Sequence, residues 1–103
     1  MNTTIEFKEN DQKYIDWLLQ NPNGYVVNTR RAIDTEYMVL HKATCSFIST
    51  YPKTSPSLGG FTEKKYIKIC AASIKSLSLW VENNGRKDGS FSKECSSCHP
   101  SDI

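Results

Sequence analysis

The chain has almost no excess of charge of one sign: thirteen Lys and Arg stand against eleven Asp and Glu, a formal net charge of +2. So small a balance does not by itself imply a nucleic-acid partner. Long apolar runs are absent too, and none approaches the roughly 20 residues of a transmembrane helix. The N-terminus, MNTTIEFKENDQK, lacks the apolar core of a signal peptide. These absences predict a soluble, cytoplasmic protein with no membrane partner. Glycine and proline are sparse, at five and four residues in 103, and 38% of residues are hydrophobic. That profile is globular rather than low-complexity or disordered, and the length predicts a single domain over 1–103. A core of this size is thin, so a metal or disulfide staple would help it.

Histidine and cysteine are scarce as well, with two and four residues, yet most of them fall into two tight pairs. His41-x3-Cys45 lies mid-chain and Cys95-x2-Cys98 near the end. In a reducing cytoplasm, cysteines so placed are better read as metal ligands or free thiols than as disulfides. Two residues between cysteines let both thiolates point into one site. A His and a Cys separated by three residues can share one side of a helical turn or strand-to-helix bend. Together His41, Cys45, Cys95 and Cys98 make a Cys3His shell for one structural zinc ion, with no position left open for a catalytic water. Such a site ties the tail back onto the middle of the domain. His99 and Cys70 are reserve ligands. Adjacent Cys98 and His99 would need an awkward bend, and Cys70 ends an apolar strand and reads as core.

Two rival readings of the tail carry less. Cys95-Ser96-Ser97-Cys98-His99 matches the covalent haem signature. Only four residues follow it, and haem leaves His41-x3-Cys45 unexplained. A thioredoxin-type pair wants its first cysteine at a helix N-terminus, and no room for that helix remains before Pro100 and the chain end.

Hydrophobic periodicity places the pairs on elements. Residues 1–9 read as a loose arm. Asn10 or Asp11 caps a helix over 12–20, with Tyr14, Trp17 and Leu18 on one face. Asn21-Pro22-Asn23-Gly24 turns the chain into a strand at 25–28. A second strand over 37–40 ends at His41, and Thr44 caps a short helix containing Phe47 and Ile48. Residues 51–60 form a loop. A third strand over 65–69 puts Ile67 and Ile69 on one face. Ser73 caps a helix running to Glu82, with Leu77, Trp80 and Val81 on one side, and Asn83-Asn84-Gly85 ends it. The expected architecture is α+β: a small three-stranded antiparallel sheet with helices on one face, stapled by zinc. Trp17 and Trp80 anchor the helices to the sheet.

From about Tyr37 to Pro100 the chain resembles the metal-binding domain of the Ada-type adaptive-response DNA repair proteins and the short bacterial zinc modules related to it. In that family a Cys-x3-Cys pair follows a strand, and a Cys-x2-Cys pair follows a helix and a Gly-containing turn. Here His41-Lys42-Ala43-Thr44-Cys45 takes the first place. Cys95-Ser96-Ser97-Cys98-His99-Pro100 takes the second, preceded by the 76–85 helix and Gly turn. The resemblance implies bound zinc and contact with DNA phosphates. His41 stands where the family carries its methyl-accepting cysteine, so methyl transfer is not expected. Residues 1–36 lie outside the match. As a whole the chain is also similar to bacterial sequences that share an Asn-Pro-x-Gly-Tyr-Val-x-Asn turn-strand, here Asn21 to Asn28, which implies only that the opening helix, turn and strand belong to the same domain.

Three functional classes follow. The first is a nucleic-acid module contacting DNA or RNA through Arg30, Arg31, Lys64, Lys65, Lys68, Arg86 and Lys87. The second is a protein-interaction or assembly module using exposed strand edges. The third is a small nuclease built from His41, His99, Asp34, Glu36 and Glu94. No spacing among those residues is diagnostic, and His41 is better used on the metal.

Overall fold

The computed structural model describes residues 4–49, 61–62 and 65–100. The expected loop at 51–60 and the side chain of Lys64 lie outside them. The elements are β1 (Ile5–Phe7), α1 (Asp11–Gln20), β2 (Tyr25–Arg30), β3 (Met38–Lys42), α2 (Ser46–Ser49), β4 (Tyr66–Ala71), α3 (Ile74–Asn83) and β5 (Lys93–Glu94).

The fold is α+β, but the sheet is not the expected three antiparallel strands. It has five, in the order β1-β4-β2-β3-β5. Its central strands β4, β2 and β3 are the three expected and pair antiparallel. At one edge Ile5–Phe7, expected in a loose arm, pair with β4 in the register Ile5 to Cys70. At the other edge Lys93–Glu94 pair in parallel with Val39 and Leu40. Strands of three and two residues are too short to show an alternation, which is why sequence patterning misses them.

The helices do not share one face either. Along β2, Val26 and Val27 enter different cores, as side chains two residues apart share a face and neighbours do not. Val26 and Cys70 pack with Tyr14 and Leu18 of α1 and with Ile48 of α2. Val27, Leu40, Ile67 and Ile69 pack with Leu77, Trp80 and Val81 of α3. One face of the sheet therefore carries α1 and α2 and the other carries α3. Trp17 belongs to the first core and Trp80 to the second. A strand buried on both faces reads as a near-continuous run. β4 is buried from Ile67 to Ala71, and that burial includes Lys68.

Local signals at the helix ends are honoured. The Asn10 side chain accepts from the Lys13 amide at 3.0 Å, and Ser73 accepts from the Ser76 amide at 3.2 Å. Gly85, at φ +118°, lets the chain leave α3 while the Arg86 amide reaches back to Val81 O at 2.9 Å. Gly24 answers a different need. A Cβ there would sit 2.6 Å from Trp17 Cη2 and 3.1 Å from Ala71 O. The 21–24 turn thus lies directly under α1, and Gly24 O accepts from the Ala43 amide at 2.9 Å. Gly24→Ala is expected to lower stability by about 1–3 kcal/mol by forcing this contact apart. A urea midpoint unchanged from wild type would show that Trp17 yields without cost.

Candidate metal centre

His41 is the fourth residue of β3, not the residue after it, and its side chain lies on the α1 face beside Val26 in register. Beyond the strand, the Cys45 amide bonds to Lys42 O at 3.0 Å. This turn folds the chain back over the strand end, so His41 and Cys45 converge. The second pair arrives by way of β5. The Ser92 amide donates to Met38 O at 3.0 Å and the Cys95 amide to Leu40 O at 2.9 Å. The parallel strand therefore delivers Cys95 alongside His41. The His99 amide then closes the tail turn on Cys95 O at 3.0 Å, with His99 at φ +47°.

The ligand atoms of His41, Cys45, Cys95 and Cys98 all lie within 4.8 Å of one another. Cys45 Sγ and Cys95 Sγ are 3.8 Å apart. A tetrahedral ion with metal–sulfur bonds of about 2.3 Å sets sulfurs about 3.8 Å apart, so this edge already has the required length. The grouping is the one the sequence spacing predicts. Cys70 is fully buried in the α1-side core and His99 is exposed on the tail. Among the described residues neither joins the group.

Three observations fit a metal ion. His41 Nδ1 is buried without a hydrogen-bond partner; a buried acceptor left this way is costly, and a metal bond would satisfy it. Burial, with Lys68 and Lys93 nearby, holds the His41 imidazole down to about 4, so it is neutral and ready to ligate at neutral pH. The sulfurs also have amide donors. The Lys42 amide donates to Cys98 Sγ at 3.3 Å. Burial opposes ionisation of Cys95, yet hydrogen bonds from the Cys98 and Ser97 amides, together with those of the Cys45 and Cys98 thiols, outweigh it and hold the thiol below its ordinary value. Without a cation the cluster cannot ionise fully: burial, with its neighbouring sulfurs, pushes the Cys45 thiol up to about 12. A divalent ion would take the place of those protons and relieve the crowding. Three sulfurs and one imidazole complete four-coordination, so the centre can hold a metal structurally and offers no open position for water.

The basic residues do not form one patch. Arg30 and Lys65 are exposed where β2 ends and β4 begins. Arg31 lies beside them, with its guanidinium donating to Lys8 O and Thr62 O. Arg86 fastens its own loop by bonding to Ser90 and to Thr35 O. Lys87 is exposed next to it. Lys68 is the clear correction. It is 4% exposed, and its ammonium donates to Asn28 Oδ1 and Phe61 O, both at 2.8 Å. Tyr14 of α1 and Phe61 close over it, so Lys68 is an interior cation rather than a phosphate ligand. The acid–base residues form no site of their own among the described residues: Asp34 caps its own turn through the Glu36 amide at 2.9 Å, and His41 belongs to the metal cluster.

Sequence reasoning missed Asp11 as more than a cap. It is fully buried and accepts from the Phe61 amide (3.1 Å), the Thr62 amide (2.7 Å) and Thr62 Oγ1 (2.6 Å). An acidic residue in the first turn of a helix is an ordinary signal, and no spacing links it to residues fifty positions away. No family model, curated protein or solved structure matches this chain.

Proposed function

We propose that the chain is a small structural-zinc module that binds nucleic acid through the basic end of its sheet, without methyl-transfer activity. The convergence of His41, Cys45, Cys95 and Cys98 carries the zinc part of the reading. Soft thiolates with one imidazole in a four-coordinate shell select zinc over oxygen-loving cations. The nucleic-acid part is supported by a broad open groove lined by Arg30, Arg31, Lys65 and Tyr66. Cations beside an aromatic ring suit a phosphate backbone and its bases. The likeness of 37–100 to the Ada-type zinc domain belongs to the same proposal. It draws support from the order of β3, the 41/45 pair, α3, the Gly85 turn and the 95/98 pair. With His41 in place of the methyl-accepting cysteine, the centre binds and does not transfer.

Zinc analysis and a salt titration test the two parts separately. One zinc per chain is expected. Three groove cations predict a slope of log affinity against log salt of about −3 on duplex DNA, and Arg30→Gln with Lys65→Gln should flatten it by about 2. One observation favours a protein partner instead: β1 is an edge strand whose Ile5 is 43% exposed, a surface on which another strand can pair. Full zinc content with no nucleic-acid binding at low salt would move the assignment there.

A further inference from the structure

Helix α1 covers only part of the sheet face that bears the metal centre. Over β3 lies a cavity of about 370 Å³ lined by Asn28, Tyr37, Val39, His41, Phe47 and Lys93, among others. Its floor is a run of alternate residues just before and within β3: Tyr37, Val39 and His41. The volume falls at the lower end of the range for small-ligand sites.

The polar group on the floor is pre-oriented. Asn28 Oδ1 accepts from the buried Lys68 ammonium at 2.8 Å. An ammonium only donates, so the Asn28 carbonyl must face it and the amide nitrogen must face away. That nitrogen carries two hydrogens, of which the hydrogen bond to the neighbouring Tyr37 hydroxyl takes one. Asn28 thus offers a donor to a ligand that brings an acceptor.

Aromatic surface stands beside it. Phe47 is 68% exposed at the cavity although its neighbour Ile48 is fully buried. Tyr37 is held by Tyr66, with ring centroids 5.5 Å apart, and by Arg30, whose guanidinium carbon lies 5.1 Å from the ring centroid. Charge is graded along the floor. A zinc ion held by three thiolates and a neutral imidazole would be formally −1 and would repel an anion from the His41 end. Arg30 over Tyr37 and Lys93 opposite Val39 attract one elsewhere. The matching ligand is flat, carries a carbonyl or ring-nitrogen acceptor, and has an anionic group at its far end.

We propose that this cavity receives one unpaired nucleobase of a single-stranded nucleic acid, ringed by Phe47 and Tyr37 and read by the Asn28 amide, with the adjoining phosphate on Lys93 and Arg30. A base within a duplex is paired and stacked and cannot enter. The proposal rests on the nucleic-acid reading above and narrows it to single strands.

Fluorescence anisotropy on the zinc-loaded full chain tests it, with a labelled mixed-sequence 12-nucleotide single strand and the same sequence as duplex. The single strand should bind about tenfold or more tighter. Phe47→Ala, an exposed change that leaves both cores untouched, should weaken single-strand binding by about fivefold or more and leave duplex binding unaltered. Asn28→Asp keeps the shape, removes the donor and should weaken single-strand binding in the same selective way. Equal binding of both forms, indifferent to Phe47→Ala, overturns the base cavity while the nucleic-acid reading stands. No binding of either form at low salt overturns both.

Discussion

Cys95→Ser is expected to abolish metal binding and cooperative unfolding together. Cys95 is the candidate ligand that fastens the tail. Its amide is bonded to Leu40 O, its sulfur lies 3.8 Å from Cys45 Sγ, and it packs into the α1-side core. Structural zinc is worth about 10 kcal/mol or more in small peptides, while whole domains are stable by only about 5–15 kcal/mol. Losing one of four ligands therefore removes a share comparable with the total. His41→Ala should act alike, whereas His41→Cys should keep the metal as a four-sulfur site. Cys70 and His99 stand outside the cluster, so His99→Ala should keep full metal content. The measurement is metal per chain with a thermal melt on the same samples. Full zinc and an unchanged melt in Cys95→Ser would refute the centre, and full zinc in His41→Ala would move the fourth ligand elsewhere.

The second large effect is expected at Asp11. Its carboxylate holds three donors from residues 61 and 62 against the start of α1. It also compensates the Lys68 ammonium, which is buried beneath the rings of Tyr14, Phe61 and Tyr66. Asp11→Ala leaves two amides and a hydroxyl without their acceptor and a buried cation without its opposite charge. A cost of about 3–5 kcal/mol follows, read as a shift in the urea midpoint of the zinc-loaded protein; a loss below about 1 kcal/mol would show that water replaces the carboxylate.

Lys68 gives the same cluster a pH signature. Burial, opposed by Asp11 and Cys70, holds its ammonium down to about 8 from an ordinary 10.5. Between those values the unfolded chain binds the proton and the folded chain does not, so stability rises with pH there. The contribution is full above about 10.5 and is lost as pH falls through about 8. Lys68→Met lacks it. Wild type should therefore gain on Lys68→Met as pH rises from 8 to 10.5, with Tyr14, common to both proteins, cancelling. A constant difference across that window would place the Lys68 proton elsewhere.

How far the sequence reaches differs between site and fold. The metal cluster was legible because its information is local: each ligand pair sits within five residues, and ligand chemistry allows few ways of using such pairs. Helices α1 and α3 were legible because caps and a 3.6-residue period extend over ten residues. The strand edges were not, since three residues at Ile5–Phe7 and two at Lys93–Glu94 carry no period to detect. Lys68 and Asp11 show the same limit on the polar side. Their charges read as surface until α1 and residues 61–62 close over them.

Two pairs of potential metal ligands, two capped helices and three strand segments were thus legible in the sequence itself, through patterns among near neighbours in the chain. The tertiary structure alone decided that the helices take opposite faces, that the tail returns parallel to β3, and that one lysine and one aspartate are interior. The last two outcomes depend on contacts between residues some forty to fifty-seven positions apart, such as Lys68 with Asn28 and Asp11, and such partners exist only once the chain has closed on itself.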